Sequence, residues 1–181
     1  MTAPSTASRT VRPGTWRVDP ATATAGFRVR NFGLRWVEGT FRVTRGVVVV
    51  GADGRPTLVQ ATVDASSVTT GISRRDADLR GPRFFDVEHH AEIDLVARQV
   101  EPTDGGWRVH ADVGVRGAPA PIELAVRSLT TDGSGGGPVL VEATGVLDLR
   151  TTPIRAPRAL VGRFVEVRIK ATLLTTDSDP D

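Results

Sequence analysis

The chain has no cysteine and no tyrosine, and Lys170 is its only lysine. Without cysteine there can be no disulfide, thiolate metal site, thiol nucleophile or lipoprotein anchor, which fits a reducing compartment. With tyrosine and cysteine absent, almost nothing titrates between histidine and arginine. The isoelectric point near 10.2 therefore belongs to a chain whose formal charge is only +2. It reflects missing buffers, and because basic and acidic residues are interspersed it is no footprint of nucleic-acid binding. Long apolar runs are missing too. The longest is Val47 to Val50, against about 20 residues for a membrane helix, so no integral membrane segment is expected. Residues 1–14 carry Arg9 and Arg12 but no apolar core, and read as a disordered lead-in, not a secretory signal. A cytoplasmic location is the expectation. One domain over 15–175 and a flexible acidic tail over 176–181 complete the organisation.

Nearly every segment alternates apolar and polar residues, the period of a half-buried strand. From Trp107 to Val113 one face is wholly apolar. Ile122, Leu124 and Val126 alternate with Glu123, Ala125 and Arg127, and the run from Val165 to Leu173 does the same. Noisier patterns cover 24–30, 39–50, 57–65, 91–98 and 139–150, making eight strands with a short extra one at 16–19. Turn residues separate them: Ala52-Asp53-Gly54-Arg55-Pro56, Asp104-Gly105-Gly106 and Gly117-Ala118-Pro119. The glycine-rich stretch Asp132–Pro138 lies between two strands, with no helix start to hold a phosphate, and reads as a loop. The predicted fold is all-β, an eight-stranded antiparallel barrel or a sandwich, and eight strands enclose room for side chains or one small ligand. The presumed inner face mixes bulky Phe27, Phe41, Ile93 and Trp107 with small Ala61, Ala97, Ala111 and Ala143. The small residues leave space that a ligand, or facing large side chains, would fill.

One segment breaks the pattern. Ser73-Arg74-Arg75-Asp76 resembles a capping box, with Ser73 capping and Asp76 reaching back, and Gly81-Pro82 is a stop. A helix of about two turns is predicted between strands. Arg74, Arg75, Arg80 and Arg83 place four guanidinium groups within ten residues, suited to an anionic head group. Arg74 with Asp78 and Asp76 with Arg80 have the spacing of surface ion pairs, which leaves Arg75 as the preferred anion ligand.

Catalytic chemistry finds little footing. Asp86, Glu88, His89 and His90 form the one cluster resembling metal ligands, but adjacent strand residues point to opposite faces. No Gly-x-Ser-x-Gly elbow occurs. No catalytic residue, metal or cofactor is expected.

Several fragments, in order, resemble the YceI-like family of lipocalin-like barrels associated with polyisoprenoids and related lipids. They are Trp16-Arg17-Val18-Asp19-Pro20, Gly39-Thr40-Phe41, Thr69-Thr70-Gly71, Arg75-Asp76, Leu79-Arg80, Phe84-Phe85-Asp86-Val87 and Gly114-Val115-Arg116-Gly117. The resemblance runs from about residue 14 to 174. It implies a lipocalin-like barrel holding an apolar ligand such as a quinone, polyprenol or polyprenyl phosphate. The head group would then meet Arg75, Asp78, Arg80 and Arg83. The chain would lie among Phe27, Phe41, Ala61, Val63, Phe84 and Phe85, and among Ile93, Leu95, Trp107, Val109, Ala111 and Ala143. Asp78 stands where the family commonly has histidine, and an acid there disfavours phosphate. Ala91 stands in place of a common proline at a strand entry. The alternative is a stress-associated or protein-interaction barrel with a packed core. A homodimer is left open.

Overall fold

A computed structural model describes residues 11–128 and 137–176. The lead-in up to residue 10, most of the glycine-rich loop and the tail from 177 lie outside the described residues. The strands are β1 (Gly14–Val18), β2 (Thr24–Asn31), β3 (Arg35–Val50), β4 (Pro56–Thr69), β5 (Glu92–Thr103), β6 (Gly106–Val115), β7 (Ala118–Ser128), β8 (Val139–Asp148) and β9 (Val161–Thr175). One α-helix, α1 (Ser73–Arg80), joins β4 to β5, and a 3-10 turn at Leu149–Thr151 follows β8.

Strands β2 to β9 form a closed eight-stranded antiparallel barrel, each paired with the next in sequence and β9 returning to β2. The extra strand does not add a stave. β1 lies between β3 and β9, against Val47–Val50 and Leu173–Thr175, while β2 takes the same lane further along, against 35–42 and 161–170. The two are one stave interrupted at Asp19–Ala23, where Asp19 Oδ1 accepts from Ala21 N at 3.0 Å. β3 runs for 16 residues and stays in a curved wall because its pairing with β4 shifts register near Thr40–Arg42 and Val43–Arg45. Such bulges bend a strand without ending it.

The β6–β7 hairpin turns one residue earlier than the sequence pattern suggests. Arg116 and Gly117 both take positive φ (50° and 72°), while Ala118 and Pro119 already belong to β7. Pro119 and Pro121 fit there because this part of β7 pairs with β6, and its register with β8 begins only at Leu124. Gly39 is needed for a different reason. A Cβ at that position would run into the Phe27 ring and lie 2.9 Å from the Thr69 carbonyl.

The core is uneven. On the β6–β8 side, Val109, Ala111, Ala120, Ile122, Leu124, Ala143 and Leu147 form one buried cluster, joined by Val165 of β9. A second, around Trp16, Val50 and Leu173, closes the end of the barrel where β1 lies. The space between the remaining walls and α1 is not filled by side chains.

Candidate ligand-binding site

A cavity of about 710 Å³ opens between β2, β3, β4, β5 and β9, with α1 and the β8–β9 connection around its mouth. Its walls are almost wholly Val, Leu, Ile, Phe and Ala. The polar side chains among its lining residues are Arg30, Asn31, Arg75, Asp78, Arg83 and Asp94, and among the described residues no serine, threonine or histidine lines it. Three aromatic rings step across one wall. Phe27 meets Phe41 at 5.5 Å between centroids, and Phe41 meets Phe85 edge-on at 5.1 Å.

The mouth is built around α1. Its N-cap position is Ile72, with no side-chain cap, so Ser73 is the first helical residue and does not cap. Asp76 does reach back, but to the end of β4. Its carboxylate accepts from Thr70 N (2.8 Å), Thr70 Oγ1 (2.6 Å) and Thr69 Oγ1 (3.2 Å). The Thr70 hydroxyl bond, with Arg80 adding a favourable charge, holds this carboxyl below its usual 3.8. Arg75 is steadied from the same residue: Nε donates to Thr70 Oγ1 (2.7 Å) and Nη2 to the Thr70 carbonyl (3.1 Å). A guanidinium has five N–H donors, so others remain for a ligand at the cavity that Arg75 lines.

Arg80 is placed differently. Its Nε and Nη2 donate to the carbonyls of Ser66 (2.7 Å) and Val68 (3.0 Å), and it is not among the lining residues. It fastens α1 onto β4. Asp78 and Arg83 are exposed and line the mouth. No ion pair joins Arg74 to Asp78, or Asp76 to Arg80, among the described residues. After the helix, Asp86 takes a left-handed φ of 50° and receives His89 Nδ1 at 2.9 Å, with Arg116 at 3.7 Å. The bond from His89 keeps the Asp86 carboxyl low, and the same contact raises the His89 ring above 6.5.

A family model described as a YceI-like domain matches residues 16–173. The chain belongs to the YceI-like family. A UPF0312 protein of Serratia proteamaculans (strain 568) is 26% identical over 146 residues, covering 79% of this chain and 76% of its own length. One from Yersinia pestis (strain Pestoides F) is 27% identical over 146 residues, covering 78% and 75%. Among solved structures, Burkholderia cenocepacia BcnA superposes with a TM-score of 0.73 at 15% identity, over 86% of this chain and 98% of that one. A polyisoprenoid binding domain from Saccharophagus degradans gives 0.65 at 17% identity, over 88% and 98%. At such identities the likeness to solved structures is one of fold.

Of the residues expected inside this YceI-like barrel, Phe27, Phe41, Ala61, Val63, Phe84, Phe85, Ile93 and Leu95 line the cavity. Trp107, Val109, Ala111 and Ala143 do not. They belong to the packed β6–β8 side, where Ala111 sits opposite Ala97 and Ile122 and the neighbouring large side chains take up the room. On that side the small residues are matched by large ones. The β8–β9 connection supplies lining residues that strand alternation could not reveal, among them Ile154, Pro157 and Leu160. The inner face of β9 (Val165, Val167, Ile169, Ala171) lines it too, and its alternation was the available signal. Asp86 and His89 meet as a pair, but no group of three metal-binding side chains occurs among the described residues.

Proposed function

We propose that this protein binds and carries a long-chain isoprenoid-like lipid in its barrel, without chemistry. The observation that carries this reading is the apolar cavity of about 710 Å³ with its few polar groups at the mouth, the usual make-up of a site for an apolar molecule with one polar end. Filled at the density of a protein interior, it takes roughly five or six isoprene units. The fold shared with a polyisoprenoid binding domain supports the same class of ligand. In this reading Phe27, Phe41, Ala61, Val63, Phe84, Phe85, Ile93 and Leu95 contact the chain, and Arg75, Asp78 and Arg83 meet the head group. Arg80, which is turned onto β4 and does not line the cavity, is left out of that set. Asp78 at the rim offsets part of the arginine charge, which favours a neutral head group such as a quinone or alcohol over a phosphate.

Native mass spectrometry of the purified protein tests this. The expected result is an adduct that dissociates as an intact, unmodified polyprenyl lipid. A protein that stays free of lipid after incubation with quinones, polyprenols and polyprenyl phosphates of graded length would overturn it. A barrel filled by its own side chains is the competing reading, and only the β6–β8 side resembles it.

A further inference from the structure

The two ends of the barrel are chemically unlike. At the closed end, the β3–β4 turn is Gly51-Ala52-Asp53-Gly54-Arg55 and the β5–β6 turn Asp104-Gly105, with no large apolar side chain at either tip. At the mouth, the β2–β3 turn is Phe32-Gly33-Leu34, with Phe32 62% and Leu34 82% exposed. Phe32 also holds a left-handed φ of 52°, a conformation that disfavours a bulky side chain and turns up where something other than stability is served. Leu160 is exposed beside this tip, its carbonyl accepting from Phe32 N at 2.9 Å. Two residues down the strand, Trp36 is 41% exposed, with the guanidinium carbons of Arg28 and Arg30 at 4.2 and 4.4 Å from its ring centre.

Charge follows the same division. The mouth-end segments 30–35, 70–91, 116–117 and 148–161 hold ten arginines and five acids, a net +5 in a chain whose total is +2. Three of those acids are engaged within the protein: Asp76 on Thr70, Asp86 on His89, Asp148 on Arg163. Arg35, Arg74, Arg83, Arg155 and Arg158 are exposed and have no ion-pair partner among the described residues. Apolar side chains projecting from a rim of uncompensated arginines fit one surface above others: a bilayer whose head groups are anionic and whose acyl region accepts the tip.

We infer that the mouth of the barrel docks on anionic membranes, the Phe32–Leu34 tip entering the bilayer while the arginines face its phosphates. This goes beyond the carrier reading: Phe32 and Leu160 also line the cavity, whereas Leu34, at the tip, does not. It gives the open end of the barrel a direct route to a lipid phase.

Vesicle co-sedimentation tests it, using phosphatidylcholine alone and phosphatidylcholine with about 30 mol% phosphatidylglycerol, a stand-in for an anionic leaflet. The full chain should pellet with the anionic vesicles and hardly with the neutral ones, and the bound fraction should fall as salt rises. Leu34→Glu changes a fully projecting side chain that does not line the cavity, and should weaken partitioning about tenfold or more. Arg55→Glu, at the closed end, should change it less than about twofold, because charge beyond a Debye length is screened. Circular dichroism confirms that both variants fold. Failure of the wild type to prefer anionic vesicles overturns the inference. So does an equal loss in both variants, which would mean diffuse attraction without a docking face. If the wild type ignores vesicles but forms a dimer that Leu34→Glu dissolves, the tip belongs to a second copy of the chain and not to a membrane.

Discussion

Enlarging one alanine at each of two inner positions separates the hollow part of the barrel from the solid part. Ala61 on β4 lines the cavity, between Gly46 on β3 and Leu95 on β5. Ala111 on β6 is 3% exposed and packed within the β6–β8 cluster. Ala61→Leu extends three carbon atoms into empty apolar space. At about 0.8 kcal/mol per buried methylene, the change is neutral to stabilising by up to roughly 2 kcal/mol. Ala111→Phe has no space to enter and must displace Ile122 or Ala97, costing about 1–3 kcal/mol. For a domain of this size each kcal/mol moves the melting temperature by roughly 2–4 °C. The two variants should therefore melt on opposite sides of the lipid-free wild type, or with Ala61→Leu unchanged. Ala61→Leu should also reduce the lipid that co-purifies, because it occupies part of the same volume. Equal destabilisation in both variants, measured by urea midpoints on delipidated protein, would refute the division into hollow and packed sides.

Three further outcomes are expected. Arg75→Ala should weaken a polyprenyl phosphate more than the matching alcohol, by about 1.5–3 kcal/mol for a charge-assisted bond; equal losses would make Arg75 only the brace that its bonds to Thr70 describe. Asp78→His should raise the affinity for polyprenyl phosphate relative to quinone, and an unchanged ratio of dissociation constants would remove Asp78 from the head-group site. Stability should fall in acid. Asp76, bonded to Thr70, and Asp148, bonded to Arg163, both have carboxyls held below 3.8 in the folded state. Each therefore contributes stability that is complete above that value and is lost as the pH falls through the lowered one. The melting temperature followed from neutral pH to about pH 2 should show this loss, and Asp76→Asn should make it shallower while lowering the plateau. An acid limb identical in the variant would detach Asp76 from the acid transition. His89 works in the opposite sense: its raised value means the Asp86 contact is fully present below pH 6.5 and fades as the pH rises through the higher value, which a histidine NMR titration reads directly.

Local order was legible in the linear chain because it is written at short range. Alternation with a period of two located the eight staves and the extra stretch at 16–19, since each strand must turn one face to the barrel and one to water. The break at Ser73–Pro82 marked α1 because helix start and stop residues act within a few positions. The order of the motifs pointed to the family. Even here the details near α1 were set by partners outside it. Asp76 ties the helix to the end of β4 through Thr70, and Ser73 caps nothing.

What the chain alone left open was which inner residues face one another. Ala61, Ala111 and Ala143 have the same local pattern, yet Ala61 borders a cavity while Ala111 and Ala143 touch the large residues of adjoining strands. That difference arises from register across the barrel, a relation between residues far apart in sequence. The same holds for the arginines. Arg75 and Arg80 lie five residues apart on one short helix, and only the docking of α1 onto β4 turns Arg80 to the Ser66 and Val68 carbonyls while leaving Arg75 at the cavity. The β8–β9 connection, with no periodicity of its own, becomes part of the mouth only when the barrel closes. Short-range patterns select the strands, the helix and the turns; the space between them, and what lines it, exists only once the sheet returns on itself.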